Sequence, residues 1–246
     1  METKEKRYAE LVKRVAYSYK TNPPKPNKQG VTLSWFDECK EINLWSYWQG
    51  KGHLDAKILL VGQDWGYPDA NSAVIKNIVE INSGNTIPYM TGNENTTDKH
   101  LAELFSEIGY RINENDALNS ELFFTNFVLG YRSKGLSGGL SRSWIEHDKK
   151  FFKELVDIIE PKTIICLGKA TLCGVIESFG EHGKIGNYNR FIESNRNPFV
   201  FSMNNGNEVR IYGVAHCGAM GTLNRNGKSS GKDLSKQKLD WKRIAE

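Results

Sequence analysis

Three short apolar runs, the first and third closed by a glycine, constrain the fold of this chain more than any other feature. They occupy residues 57–61, 121–127 and 162–167. Their aliphatic and aromatic side chains follow one another with little polar alternation, which is typical of strands that are buried on both faces. A sheet built from such strands needs helices to cover each face, so the runs predict a layered α/β domain.

Two further apolar segments flank the turn-forming sequence Asn-Asn-Gly-Asn at 204–207. This arrangement predicts a β-hairpin with arms at 199–203 and 209–215, the second of which leads into His216. Helical periodicity occupies the remaining segments, at 7–19, 72–82, 98–108, 148–159, 169–179 and 233–245. Because strands alternate with helices, we expect a three-layer α/β/α fold around a central, mostly parallel, four-stranded sheet.

The chain length of 246 residues fits a single globular domain. Within it we expect an N-terminal helical arm and loop at 1–44, followed by the α/β domain at 45–246. No apolar run approaches the roughly 20 residues that a membrane span needs, and no apolar signal-peptide core follows the charged N-terminus. We therefore expect a cytoplasmic protein, monomeric and without membrane contact.

The cysteines are scattered, and none forms the Cys-x-x-Cys spacing of a zinc or iron–sulfur site. They are Cys39, Cys166, Cys173 and Cys217. Since Cys166 falls inside a predicted buried strand, we expect no cluster, no metal ion and no other cofactor.

Basic residues concentrate at the two ends of the chain. Residues 1–28 contain eight Lys and Arg against three acids, and residues 225–243 contain seven against two. Such segments are usually solvated faces. The functional alternative is contact with the phosphates of a nucleic acid.

Polar residues follow the predicted strands at the edge where open parallel sheets bind ligands. Asp64 follows the first run, Asn126 ends the second and His216 follows the last, while Gly168 and Lys169 follow the third. Each also has a structural interpretation. Asp64 can cap a turn, Asn126 can satisfy loop backbone, and His216 can be a hydrogen-bonded core histidine. Their shared edge favours a site, and the absence of phosphate-loop and dinucleotide motifs argues against nucleoside triphosphates and NAD.

At these residues the sequence resembles the uracil-DNA glycosylase superfamily, over roughly residues 45–225. The first family motif reads GQDPY in one branch and GEAPG in the iron–sulfur branch, and the second reads HPS followed by an apolar residue. The similar segments here are Gly-Gln-Asp-Trp-Gly at 62–66, Ile-Pro-Tyr-Met-Thr-Gly at 87–92, Phe-Thr-Asn-Phe-Val at 124–128, the strand and turn at 160–168, and His-Cys-Gly-Ala-Met at 216–220.

The resemblance implies a metal-free DNA glycosylase that hydrolyses the N-glycosidic bond of uracil or a related modified base and leaves an abasic site. Asp64 and His216 are then its catalytic residues. An ionised Asp64 orients or deprotonates a water molecule and faces the cationic sugar, and His216 donates a hydrogen bond to the departing base. A neutral imidazole is sufficient for that donation.

The remaining family positions are implied to bind the extruded base and the DNA backbone. Tyr89 stacks on the base and Asn126 reads its edge, since a carboxamide offers both a donor and an acceptor. Met220 is the apolar wedge that fills the gap left by the base, although a methionine in a loop can also simply pack. The further base-binding positions are Gly62, Gln63 and Gly66, and the phosphate-binding positions are Gly168, Lys169 and Gly218.

Departures from the family pattern concern the substrate more than the reaction. Gly66 stands where one branch carries a bulky tyrosine that excludes a 5-methyl group, which leaves room for larger bases. Trp65 replaces the proline of the first motif. Two alternatives stay open: a glycosylase for a bulkier modified base, and a catalytically inactive nucleic-acid-binding member of the fold. The presence of both Asp64 and His216 favours an active enzyme.

Overall fold

The computed structural model describes residues 2–43, 54–67, 73–85, 96–112, 121–135, 139–182, 185–227 and 233–245. Its helices are α1 (Lys4–Thr21), α2 (Ala73–Asn82), α3 (Thr96–Ser106), α4 (Arg142–Ile159), α5 (Lys169–Ser178), α6 (Tyr188–Ile192), α7 (Ala219–Asn226) and α8 (Ser235–Lys242). Its strands are β1 (Leu33–Ser34), β2 (Ile58–Gly62), β3 (Leu122–Asn126), β4 (Tyr131–Arg132), β5 (Thr163–Leu167), β6 (Phe199–Ser202) and β7 (Glu208–Val214). Among the described residues, no helix is long and apolar enough to cross a membrane.

The central sheet contains five strands in the order β3-β2-β5-β7-β6. The first four run parallel to their neighbours, and β6 pairs antiparallel with β7. The predicted α/β class with a mostly parallel sheet is confirmed. The expected number of four strands is wrong, because the first arm of the hairpin also pairs with the sheet and forms its antiparallel edge.

Alternate residues of each strand enter two separate cores, as the two-residue period of a strand requires. Leu59 and Val61 of β2 pack with α1, α4 and α5, whereas Ile58 and Leu60 pack with α3 and α8. Helices therefore cover both faces of the sheet. The continuous apolar runs in the sequence are explained by this double burial.

The N-terminal arm packs directly against the body of the protein. Leu11, Val15 and Tyr19 of α1 are buried in the core shared with α4. Strand β1 pairs with β4, so residues 33–34 join the segment that follows β3. Folding of the arm is thus coupled to the position of β4.

Helix α4 begins six residues earlier than the periodicity predicts. Ser141 is its N-cap, and its side chain accepts a hydrogen bond from the Trp144 backbone N–H. An N-cap serine satisfies one of the orphan N–H groups of a first helical turn. The capping residue therefore fixes the start of α4, at a place where the apolar spacing gave no signal.

Candidate active site

The carboxyl ends of the parallel strands bring the predicted polar residues to one edge of the sheet. Gly62 at the end of β2 is in register with Asn126 at the end of β3. A Cβ atom placed on Gly168, after β5, would lie 3.9 Å from the Cβ of His216. The charge of Asp64 reaches His216 and acts on its pKa. Asp64, Asn126, Gly168 and His216 therefore share one site.

The Asn126 carboxamide lies against the backbone of Gly62. A Cβ added to Gly62 would come within 2.3 Å of Asn126 Oδ1, so only glycine permits this approach. Asn126 is buried, and its side chain makes no hydrogen bond to any other part of the described chain. The carboxamide is thus available to a ligand, and it does not satisfy loop backbone.

His216 is held in a defined tautomer. The backbone N–H of Gly218 donates to His216 Nδ1 over 2.9 Å, so in the neutral ring Nε2 carries the proton. Desolvation by the surrounding protein lowers the pKa of His216 below its usual 6.5, while the Asp64 carboxylate opposes that shift. The ring keeps an exposed surface. The site therefore presents a neutral imidazole with an N–H donor.

Three neighbouring elements fix the turn that carries His216. A Cβ on Gly221 of α7 would lie 2.2 Å from the His216 carbonyl oxygen, so this helix packs directly on the turn. His100 of α3 donates from Nδ1 to the Cys217 carbonyl oxygen over 2.7 Å. Gln237 of α8 donates from Nε2 to the His216 carbonyl oxygen over 3.3 Å. The sequence analysis missed His100 and Gln237, because their partners are backbone atoms far away along the chain.

Both oxygens of the Asp64 carboxylate accept hydrogen bonds. Arg132 Nη2 and Gln63 Nε2 donate to Oδ2 over 2.7 and 2.9 Å, and the Gly66 N–H donates to Oδ1 over 3.0 Å. The bond from Gly66 is the turn cap that Asp64 was expected to form if it had a structural role. The ion pair with Arg132 adds a second, charged constraint on the same side chain.

Arg132 was not predicted as a site residue. Its side chain is fully buried, its guanidinium lies over the Trp144 ring at 5.0 Å from the centroid, and its backbone N–H donates to the Gly66 carbonyl oxygen over 2.8 Å. The one signal in the sequence was an arginine close behind a strongly apolar run. A charge at such a place needs a buried partner of opposite sign, and Asp64 is that partner.

Two helices begin at this edge with glycine N-caps. Gly168 precedes α5 and Gly218 precedes α7, and within the described residues neither helix has a side-chain cap on its first N–H groups. Such N–H groups, together with the helix dipole, attract anions. Met220 in the first turn of α7 is 69% exposed, so it does not pack in the core. Lys169 is also exposed, with its amine bonded to the Gly186 carbonyl oxygen over 2.9 Å.

The basic ends of the chain contribute fewer free cations than their composition indicates. Lys4 pairs with Asp55 at 2.9 Å, and Arg225 makes two hydrogen bonds of 2.6 Å to Asp240. Lys20 pairs with Asp37. These ion pairs within the protein favour the solvated-face interpretation for Lys4, Lys20 and Arg225.

Trp65 and Gly66 lie in the turn that follows β2. Trp65, which replaces the family proline, stacks on Tyr131 with ring centroids 5.2 Å apart. Gly66 has φ +70°, a conformation that a larger residue adopts with strain. Cys166 is buried within β5 as expected. Tyr89 lies outside the described residues.

No protein-family model and no curated protein matches the chain. The function must therefore be inferred from the chemistry of the sheet edge itself. That edge combines a fixed carboxylate, an available carboxamide, a neutral imidazole donor and two uncapped helix N-termini.

Proposed function

We propose that the protein is a DNA glycosylase of the uracil-DNA glycosylase type, which hydrolyses the N-glycosidic bond of uracil or a related modified base and leaves an abasic site. The observation that carries the proposal is the fixed tautomer of His216, which places a neutral N–H donor at the same edge as Asp64 and Asn126. The resemblance of the five sequence segments supports the same reaction.

The chemistry of the reaction requires two opposite charges to be stabilised. As the bond between C1′ and the base breaks, positive charge develops on the sugar and negative charge on the base. The Asp64 carboxylate stabilises the sugar cation and orients the water molecule that adds to C1′. The Nε2–H group of His216 stabilises the leaving base, and a neutral donor serves well because it needs no proton transfer.

Base selection is assigned to Asn126. An extruded pyrimidine presents alternating acceptors and donors along its Watson–Crick edge. A carboxamide matches one acceptor and one donor of that edge at once. Because the amide makes no hydrogen bond within the described chain, its donor and its acceptor are both available to a bound base.

Contact with DNA is assigned to the backbone and to Met220. The free N–H groups that begin α5 and α7 bind phosphates on either side of the extruded nucleotide. Met220 occupies the gap in the base stack, for which its exposed position on α7 is suitable. We expect the affinity for DNA to fall as the salt concentration rises, because the binding depends on phosphate contacts. An affinity that does not change with salt concentration would contradict the proposal that DNA is the partner.

The direct test is incubation with single- and double-stranded oligonucleotides that contain one uracil, followed by alkaline cleavage at abasic sites. We expect strand scission at the uracil position and none in the matched cytosine oligonucleotide. Intact uracil strands at enzyme excess would contradict removal of uracil.

A second candidate substrate class follows from Gly66. The family resemblance places a base-excluding tyrosine at this position, and glycine leaves that space open. A panel of oligonucleotides with 5-substituted and bulkier modified bases distinguishes the two: release of these bases in preference to uracil favours the broader pocket.

A further inference from the structure

A second group of chemically reactive side chains lies between α1 and α4 and includes no residue of the proposed glycosylase site. Ser18 Oγ is 2.9 Å from His147 Nε2, and His147 Nδ1 is 2.8 Å from Asp148 Oδ1. Both distances are those of good hydrogen bonds. A hydroxyl, an imidazole and a carboxylate in this order are the parts of a nucleophile activated by a general base.

The direction of the hydrogen bonds follows from the buried carboxylate. Asp148 is fully buried and also accepts from the Tyr19 hydroxyl and from the Leu129 N–H, the latter over 3.2 Å. Burial and the charge of Asp148 raise the pKa of Tyr19 well above its usual value, so Tyr19 stays a donor. An ionised carboxylate only accepts, so His147 donates from Nδ1 and offers the lone pair of Nε2 to Ser18. Ser18 is therefore the donor to His147.

The Ser18 hydroxyl does not make the local backbone bond that several other helical hydroxyl groups make. Thr21, Thr171 and Ser178 donate to the carbonyl oxygen four residues earlier, over 2.9, 3.0 and 3.1 Å. That local bond is the usual one for a helical Ser or Thr. Ser18 instead bonds to a side chain 129 residues away. Its hydroxyl is thus oriented by the imidazole.

A cavity of about 570 Å³ opens beside Ser18. Lys150 and the ion pair of Arg14 with Glu154 lie on its wall, and Tyr17 and Phe151 bring apolar surface. The His147 side chain is only 9% exposed, so the base is shielded from bulk water behind the serine. The volume is in the range of small-molecule sites. Within the described residues Lys150 forms no ion pair, so its ammonium group is suited to stabilising an oxyanion.

We propose that Ser18 is a nucleophile activated by His147 and positioned through Asp148, and that the adjoining cavity accepts a small carboxylic ester. Ser18 Oγ attacks the ester carbonyl and its proton passes to His147 Nε2. The C–O bond to the alcohol breaks, and the alcohol leaves with that proton. Water then attacks the acyl-serine, with His147 again taking and returning a proton, which releases the carboxylic acid and restores Ser18.

A fluorophosphonate probe tests the proposal on the whole chain. An activated serine forms a P–O bond to the probe and fluoride leaves, which gives a fixed mass increase on one peptide. We expect the adduct on Ser18 of the parent protein, none on that peptide in Ser18→Ala, and labelling at least about 100-fold slower in His147→Gln, as general-base catalysis implies. Ser178→Ala, which removes a helical hydroxyl bonded only locally, leaves the labelling rate unchanged.

Labelling of the parent protein tests the proposal even where a variant folds poorly. Absence of an adduct on Ser18, with the circular dichroism spectrum of the folded chain intact, overturns the proposal. Equal labelling of a folded His147→Gln variant overturns the role of the imidazole. Hydrolysis of p-nitrophenyl acetate that stops in Ser18→Ala and continues in Ser178→Ala supports the ester assignment, and equal hydrolysis in all three proteins contradicts it.

Discussion

Arg132 donates from Nη2 to Oδ2 of Asp64 over 2.7 Å, and the two side chains are 0% and 7% exposed. The pair connects the end of β2 to β4, which is itself paired with β1 of the N-terminal arm. Each charge would be costly to bury alone. The position of the proposed catalytic carboxylate therefore depends on a cation supplied by a different part of the chain.

Replacing Arg132 with Met is expected to destabilise the fold by about 3–5 kcal/mol, because Asp64 is left as an uncompensated buried charge. Urea unfolding followed by circular dichroism measures the loss. The matched control is the double variant Arg132→Met with Asp64→Leu, which removes both charges and should recover most of the stability. If the double variant is as unstable as the single one, the ion pair is not the source of the effect.

Asp64→Asn is expected to abolish base release while most DNA binding is retained. The amide keeps the size of the side chain and an oxygen for the Gly66 N–H, but it has no charge to stabilise the sugar cation or to compensate the buried Arg132. Rates are therefore compared at a temperature at which circular dichroism shows the variant folded. Loss of one electrostatic contact to the transition state lowers the catalytic rate by a factor of about 10² to 10³. We expect loss of the full charge to lower the rate of base release by at least that factor. Single-turnover cleavage and an electrophoretic shift assay separate the two properties. Equal rates of base release in variant and parent would contradict the proposed mechanism.

The sequence was informative wherever local pattern determines structure. The buried strands and the shared edge of Asp64, Asn126 and His216 follow from short apolar runs and from the rule that parallel strands end together. Arg132 and His100 were missed because each acts through a partner that only tertiary folding brings near. The hairpin arm that forms β6 was predicted, but its place in the central sheet was not. An apolar pattern does not specify whether a hairpin arm joins the main sheet.

The pH dependence of base release is expected to report the lowered pKa of His216. Both ring forms carry an Nε2–H group, but protonation of Nδ1 breaks the hydrogen bond from the Gly218 N–H that orients the ring. We therefore expect kcat/KM to stay level as the pH falls through 6.5 and to decline only below it. By the same linkage, the stability contributed by neutral His216 is complete above 6.5 and is lost as the pH falls towards the lower folded-state pKa. An NMR titration of the ring, assigned with His216→Ala, gives the value. An acid limb above pH 6.5 that His216→Ala removes would contradict the assignment.

Gly62→Ala is expected to displace the Asn126 carboxamide, because the new Cβ would lie 2.3 Å from its oxygen. Overpacking of this kind typically costs about 1–3 kcal/mol, and release of the base should fall by a larger factor than DNA binding. Gly139→Ala is the matched control, since a Cβ at Gly139 meets nothing within 4 Å. Thermal unfolding and the uracil cleavage assay measure both effects. Unchanged base release by Gly62→Ala would remove Asn126 from the base-reading role.

Met220 provides a test of DNA engagement that is separate from stability. Its side chain is 69% exposed, so Met220→Ala should change the free energy of unfolding by no more than about 0.5 kcal/mol. If it fills the gap left by an extruded base, the variant should lose activity on double-stranded DNA and keep most of it on single strands, where no partner stack has to be replaced. Leu239→Ala on α8 removes a side chain that is 62% exposed and serves as the control. Equal losses on both DNA forms, or an equal loss in the control, would assign Met220 to general surface contact instead of the wedge.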